Sequence, residues 1–200
     1  MSFHPVIPYG VGQHKSEREL PEEGAPFAFT PENRATFEEI VRRYPADRRK
    51  SAILPALWLA QRQNGYITAS VMAHVADAIG CTAAEVEDVV SFYTMYYTKR
   101  MGKYIIQVCR TLSCALLGAE RVTEQLSRKL GIMPGETDAA GEFSLLEVEC
   151  LGACDRAPVV MVNESGWHEQ LRPEDCPAFV DRLRAEGERA LSGCVHKVER

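Results

Sequence analysis

The sequence contains no C-x-x-C, so a thioredoxin-type dithiol exchange has no reagent. It has no G-x-G-x-x-G and no P-loop, which leaves it without a nucleotide cradle of its own. No run of 18 apolar residues occurs, so no segment is expected to span a membrane. Basic stripes are missing too. The net charge is −5, with 11 basic and 12 acidic residues in the first hundred positions and 12 and 16 in the second. Nucleic acid is therefore not an expected partner. The first residues, MSFHPVIPYGVGQHKSERELPEEG, lack a basic start followed by an apolar core, so a secretory signal is not expected, and their glutamates argue against an organelle transit peptide.

What is present is an ordinary globular composition, 46% hydrophobic and 26% charged over 200 residues, enough for one large domain or two small ones. In the reducing cytosol these absences suggest, seven cysteines point to metal or redox chemistry before disulfides. The five histidines (His4, His14, His74, His168 and His196) show no ligand spacing and read as surface or capping residues.

Residues 1–29 are rich in Pro, Gly and charge and read as an extended arm that orders only against a partner. Residues 30–100 read as a helical bundle of four helices. The first opens at Thr30-Pro31, carries Phe37, Ile40, Val41 and Tyr44 at helical spacing, and ends at Pro45. The second carries Ile53, Leu54, Leu57 and Trp58, with Pro55 in its first turn, and closes at Asn64-Gly65. The third carries Val71, Val75 and Ile79 and stops at Gly80. The fourth opens on a capping box, Thr82 to Glu85, ahead of Val86, Val89, Val90 and Tyr93. The aromatic run SFYTMYY, residues 91–97, reads as core joining the fourth helix to the second half of the chain, with a partner surface as the rival reading.

Beyond Gly102 the period changes. Residues 103–108 (KYIIQV) predict a strand, 113–130 a helix, 143–148 (FSLLEV) and 159–162 (VVMV) two more strands, and a helix starts near Pro173 and stops at Gly187. A further short strand is expected near Trp167. Residues 101–187 thus form a small α/β layer, and residues 188–200, which hold Cys194, read as a tail.

Two cysteine pairs lie in this second part, each directly after a predicted strand: Cys109 and Cys114 in CRTLSC, a C-x4-C, and Cys150 and Cys154 in CLGAC, a C-x3-C. Loops at the carboxyl ends of neighbouring strands converge, so four thiolates can meet at one point. Four thiolates suit either zinc or an iron–sulfur cluster. A structural zinc usually takes tight C-x2-C knuckles, with four sulfurs at about 2.3 Å. A two-iron cluster gives each iron two thiolates and accepts wider loops within each pair. Gly152, without a Cβ, lets backbone N–H groups approach the sulfurs, and such bonds favour the more negative, reduced state. Arg110 and Arg156 stand close enough in sequence to offset some of that charge, or are simply solvated loop arginines. A Rieske centre is disfavoured because no C-x-H pair occurs, and plant-type ferredoxin spacing because no cysteine follows Cys114 within reach. Cys81, Cys176 and Cys194 stand alone and carry no expected ligand role.

In the forms VCRTLSC and ECLGACDRAPVVMVN these pairs resemble those of the thioredoxin-like [2Fe–2S] ferredoxins. YPADRRKSAILPALWLAQRQNGYI and VEDVVSFYTMYYT resemble the N-terminal bundle of one branch of that family, the [2Fe–2S] subunit in the peripheral arm of respiratory complex I, NADH:quinone oxidoreductase. The resemblance runs over about residues 34–186. It implies an α+β fold, a helical bundle followed by a thioredoxin-like ferredoxin domain. It implies one [2Fe–2S] cluster on Cys109, Cys114, Cys150 and Cys154. The subunit would dock on the FMN- and NADH-binding subunit, with other peripheral-arm subunits nearby, and exchange single electrons with FMN off the main electron path. NADH and flavin would sit on that partner, and the active site would not be complete on this chain alone. The implied location is cytoplasmic, at the inner face of a bacterial plasma membrane through the complex. Ala157-Pro158 falls where the thioredoxin fold places a cis-proline before a strand. Three rivals remain open: the equivalent subunit of an NAD-dependent hydrogenase or formate dehydrogenase, a free shuttle ferredoxin, and a zinc-stabilised interaction module with no redox role.

Overall fold

The computed structural model describes residues 21–163 and 166–191. Among them the chain forms two compact units, one ending at Arg100 and the other taking up at Met101.

The first unit is all helix. Four helices, α1 (Pro31–Arg42), α2 (Ile53–Asn64), α3 (Ala69–Ile79) and α4 (Ala83–Phe92), start and stop where local chemistry directs. Thr30 and Thr68 each accept an orphan N–H of the first turn of α1 and α3, and the Thr82–Glu85 capping box forms in full at α4. Gly65 and Gly80 close α2 and α3 at positive φ, 90° and 85°. The apolar positions Phe37, Leu57, Val71, Val75, Val86 and Val90 meet in one core.

Two expectations are revised here. Residues 21–29 of the supposed free arm lie on this unit's own helices. Glu22 and Glu23 carbonyls accept the N–H groups of Ala69 and Ser70 at 2.9 and 3.0 Å, and Phe27 and Phe29 pack edge-on against His74. Burying Phe29 and part of Phe27 overrides the Pro/Gly-rich composition around them. Residues 1–20 of the arm and 192–200 of the tail, with Cys194, lie outside the described residues. The aromatic run divides: Tyr96 is fully buried in the helical core and its hydroxyl donates to the Leu54 carbonyl at 2.9 Å, whereas Phe92 is 77% exposed. Buried Gln61 ties this run to α2, donating to the Met95 carbonyl and accepting from the Tyr97 N–H.

The second unit is a mixed four-stranded sheet in the order β2-β1-β3-β4, built from β1 (Tyr104–Cys109), β2 (Phe143–Val148), β3 (Val160–Val162) and β4 (Gly166–His168). β1 and β2 run parallel, Tyr104 opposite Phe143 and Cys109 opposite Val148. Parallel neighbours need a crossover, here α5 (Leu112–Leu116) and α6 (Ala119–Leu130). β3 and β4 follow antiparallel. Ala119, Val122 and Leu126 of α6 and Phe179, Val180 and Leu183 of α7 (Cys176–Glu186) share one core with Ile106, Val108, Phe143 and Leu145.

The single helix expected over 113–130 is two. Gly118, at φ 95°, breaks the run between α5 and α6. The first strand ends one residue later than expected, so Cys109 is its last member. The Ala157–Pro158 peptide bond is cis, as the resemblance implied.

Candidate metal centre

The parallel β1–β2 pair sets the site, because both strands deliver their carboxyl ends to one edge of the sheet. Cys109 closes β1 and Cys114 lies in α5; both are buried. Cys150 follows β2, Cys154 begins a 3₁₀ turn (Cys154–Arg156), and both are exposed. The third wall is the loop after the cis bond: the Val159 carbonyl accepts the Cys109 N–H at 3.1 Å.

The four thiols come together as two pairs that feel each other. Cys150 and Cys154 sulfurs stand 3.5 Å apart. The Cys114 thiol is pushed up to about 11, first by burial and further by its neighbours Cys109 and Cys154, while a backbone hydrogen bond at Val159 opposes the rise. Cys150 is drawn down, first by the Gly152 N–H that donates to its sulfur at 3.4 Å, then by Cys154 and the Thr111 hydroxyl. Cys154 is raised by its hydrogen bond with Cys150, and the Ser113 side chain works against that rise. Gly152 has φ 81°, and a Cβ there would meet nothing within 4 Å. The position needs glycine for its left-handed backbone, which turns the N–H back onto Cys150, and not for lack of room.

Among the described residues no group of three or more His, Cys, Asp or Glu side chains is arranged to hold a metal ion. Two adjacent thiol pairs match the need of a two-iron cluster, in which each iron takes two sulfurs. The donor chemistry and the pairing therefore fit a [2Fe–2S] group.

The arginines act otherwise than as free counter-charges. Arg110 makes an ion pair with Glu149 at 2.8 Å, linking the residue after Cys109 to the residue before Cys150. Arg156 stands 3.5 Å from Asp155 and 3.9 Å from Glu169. These carboxylates, Glu149 and Asp155 exposed and Glu169 half-buried, already balance the guanidinium charge, and each pair is worth about 0–1 kcal/mol. The Arg110–Glu149 pair spans the two cysteine loops, which the β1–β2 pairing and the Arg110 N–H donating to the Val148 carbonyl at 3.0 Å already hold together.

Outside the site, Cys81 and Cys176 are free thiols. Cys176 is buried, its thiol pushed up to about 12 chiefly by burial, and its sulfur donates to the Val122 and Arg172 carbonyls. It is a core residue. His168 corrects the surface reading of the histidines: it is 8% exposed and packs on the Phe179 ring. Sequence reasoning missed Thr111, whose Oγ1 stands 3.3 Å from the Cys109 sulfur. Its only trace in the sequence is its place inside the C-x4-C loop.

A model of the thioredoxin-like [2Fe–2S] ferredoxin family matches residues 37–184. The E subunit of the NADH-quinone oxidoreductase of Rickettsia bellii is 42% identical over 159 residues, 79% of this chain and 95% of that protein. Its namesake in Mycobacterium bovis is 42% identical over 172 residues, 84% of this chain and 67% of the relative. Among solved structures, an NAD+-reducing [NiFe]-hydrogenase in the H2-reduced state superposes with a TM-score of 0.56 at 19% identity, over 66% of this chain and 22% of that one. That likeness is one of fold.

Proposed function

The chain belongs to the thioredoxin-like [2Fe–2S] ferredoxin family, and from that premise we propose that it is the electron-carrying subunit of an NADH:quinone oxidoreductase. It holds one [2Fe–2S] cluster on Cys109, Cys114, Cys150 and Cys154 and exchanges single electrons with FMN in a neighbouring NADH-oxidising subunit. The observation that carries this reading is the meeting of two thiol pairs at the carboxyl ends of the parallel strands β1 and β2, one pair buried and one exposed.

A bound cluster supplies the one-electron chemistry that the protein side chains lack. The chain's own part is to hold and tune. Cys109 and Cys114 anchor one side in the core, Cys109 fixed at the end of β1 by its N–H to the Val159 carbonyl and Cys114 held in α5. Cys150 and Cys154 present the other side outward, toward a partner. The Gly152 N–H and the nearby hydroxyls favour negative charge on sulfur. Leu112 and Leu116 lie on the outer face of α5, 75% and 78% exposed, opposite the buried Cys114. Exposed apolar surface of this kind marks an interaction site, and we assign it to the flavin-bearing subunit. Residues 30–100 then act as a docking module and residues 101–187 as the cluster domain.

Among the described residues no helix is long and apolar enough to cross a membrane. We propose that the chain reaches the inner face of a bacterial plasma membrane through the other peripheral-arm subunits. A hydrogenase host is the second choice: the quinone oxidoreductase relatives share 42% identity with this chain and the hydrogenase 19%.

Serine substitution at each cysteine tests the ligand set. Anaerobically purified wild type should carry about two irons per chain. Cys109→Ser, Cys114→Ser, Cys150→Ser and Cys154→Ser should each lose or destabilise them, while Cys81→Ser keeps them. Full iron retention in any of the first four would remove that residue from the set. Host identity is read from co-purification: an NADH-oxidising flavoprotein should come down with the tagged chain, and a hydrogenase catalytic subunit in its place would shift the host.

A further inference from the structure

The threonine inside the C-x4-C loop behaves unlike the other threonines that begin helices in this chain. Thr30, Thr68 and Thr82 each turn the side-chain oxygen onto a first-turn N–H. Thr111 holds the same N-cap place before α5, with φ −80° and ψ 172°, yet its side chain makes no capping bond. Its carbonyl accepts the Ala115 N–H at 2.9 Å, the ordinary first bond of the helix. The hydroxyl is directed to sulfur instead, 3.3 Å from Cys109 Sγ. The same hydroxyl helps to draw the Cys150 thiol down.

We infer that Thr111 is a positioning residue that raises the reduction potential of the centre by donating a hydrogen bond from Oγ1 to the Cys109 sulfur. In the metal-free protein either partner of the Cys109–Thr111 contact can donate. Binding iron removes the thiol proton, so the hydroxyl becomes the donor. Adding one electron makes the sulfurs more negative, and a donor aimed at them stabilises that state over the oxidised one. The electron comes from the reduced flavin of the partner, and no proton or bond changes hands at Thr111. This inference rests on the cluster reading proposed above.

The test is a redox titration of the full-length purified chain, with the midpoint read from the EPR signal of the reduced state. Thr111→Val removes the donor and keeps the shape. The expected result is about a tenfold loss in the reduction equilibrium, about 59 mV downward for a one-electron couple. Thr111→Ser restores the donor and should return the midpoint close to wild type. An unchanged midpoint in the valine variant would overturn the inference, as would a serine variant displaced as far as valine. Should valine not retain the cluster, Thr111→Ala carries the same expectation, and loss of the cluster in all three variants would make Thr111 structural and overturn it too. A wild-type chain without any two-iron signal is a different outcome, the failure of the cluster reading itself.

Discussion

His168 gives the second unit a built-in acid sensitivity. It ends β4 with its ring centroid 4.5 Å from that of Phe179, and only 8% of it is exposed. Burial, followed by the Arg182 charge, takes its pKa from 6.5 down to about 4; Asp175 and a hydrogen bond with the Ala190 backbone oppose the shift. The imidazole is therefore neutral in the folded protein at pH values where the unfolded chain has already taken up a proton. The sign is set by that difference: this group's contribution is complete above pH 6.5 and is lost as pH falls toward 4. Linkage puts the loss at about 2 kcal/mol by pH 5, nearing 3 at the lower pKa. Urea unfolding of wild type and His168→Leu at pH 7 and pH 5 measures it. Leucine keeps an apolar contact with Phe179 and cannot titrate. Whatever leucine does to stability at pH 7, wild type should lose about 2 kcal/mol more than the variant between the two pH values. An equal loss in both proteins would refute the reasoning and place the acid sensitivity elsewhere.

Gly102 stands where β1 begins against β2, and a Cβ added there would lie 2.7 Å from the Phe143 carbonyl carbon and 2.9 Å from its nitrogen. Gly102→Ala should destabilise the fold by about 1–3 kcal/mol, because rigid strand backbone must move; an unaltered urea midpoint would contradict this. In the metal-free chain, iodoacetamide should label Cys150 and Cys154 ahead of Cys109, Cys114 and Cys176, since the first two are exposed and the others buried. Peptide mass spectrometry over a time course reads the order, and early labelling of Cys114 or Cys176 would contradict the burial that sets it.

The elements that the sequence discloses are those whose cause is local. A Thr–Glu pair three residues apart forms the capping box at α4, and the β-branched and apolar run over 143–148 is the strand it predicts. The pairing of the cysteine loops was legible for a similar reason: one cysteine pair starts at the last residue of β1 and the other follows β2, and parallel strands bring those ends together. Gly118 was not legible, because the helical period continues unbroken on both sides of it while its own φ of 95° turns the chain. His168 and Phe179 meet only through the fold, so a lone histidine next to Trp167 gave no sign of burial. Phe27 and Phe29 lie in a stretch whose prolines and glycines suggest an unattached arm, and their target, His74, is more than forty residues away. The same holds for Arg110 and Glu149, 39 positions apart, and for the turn of the Thr111 side chain from helix cap to sulfur. Long-range pairing and side-chain direction are the parts that one sequence leaves open.

The central claim is that four thiols of this chain hold a two-iron centre that carries one electron. An EPR spectrum of the anaerobically purified chain after dithionite reduction tests it most directly. The account predicts a spin-half signal integrating to about one spin per chain. A colourless, EPR-silent protein holding about one zinc would contradict it and turn the Cys150–Cys154 loop into a structural metal knuckle.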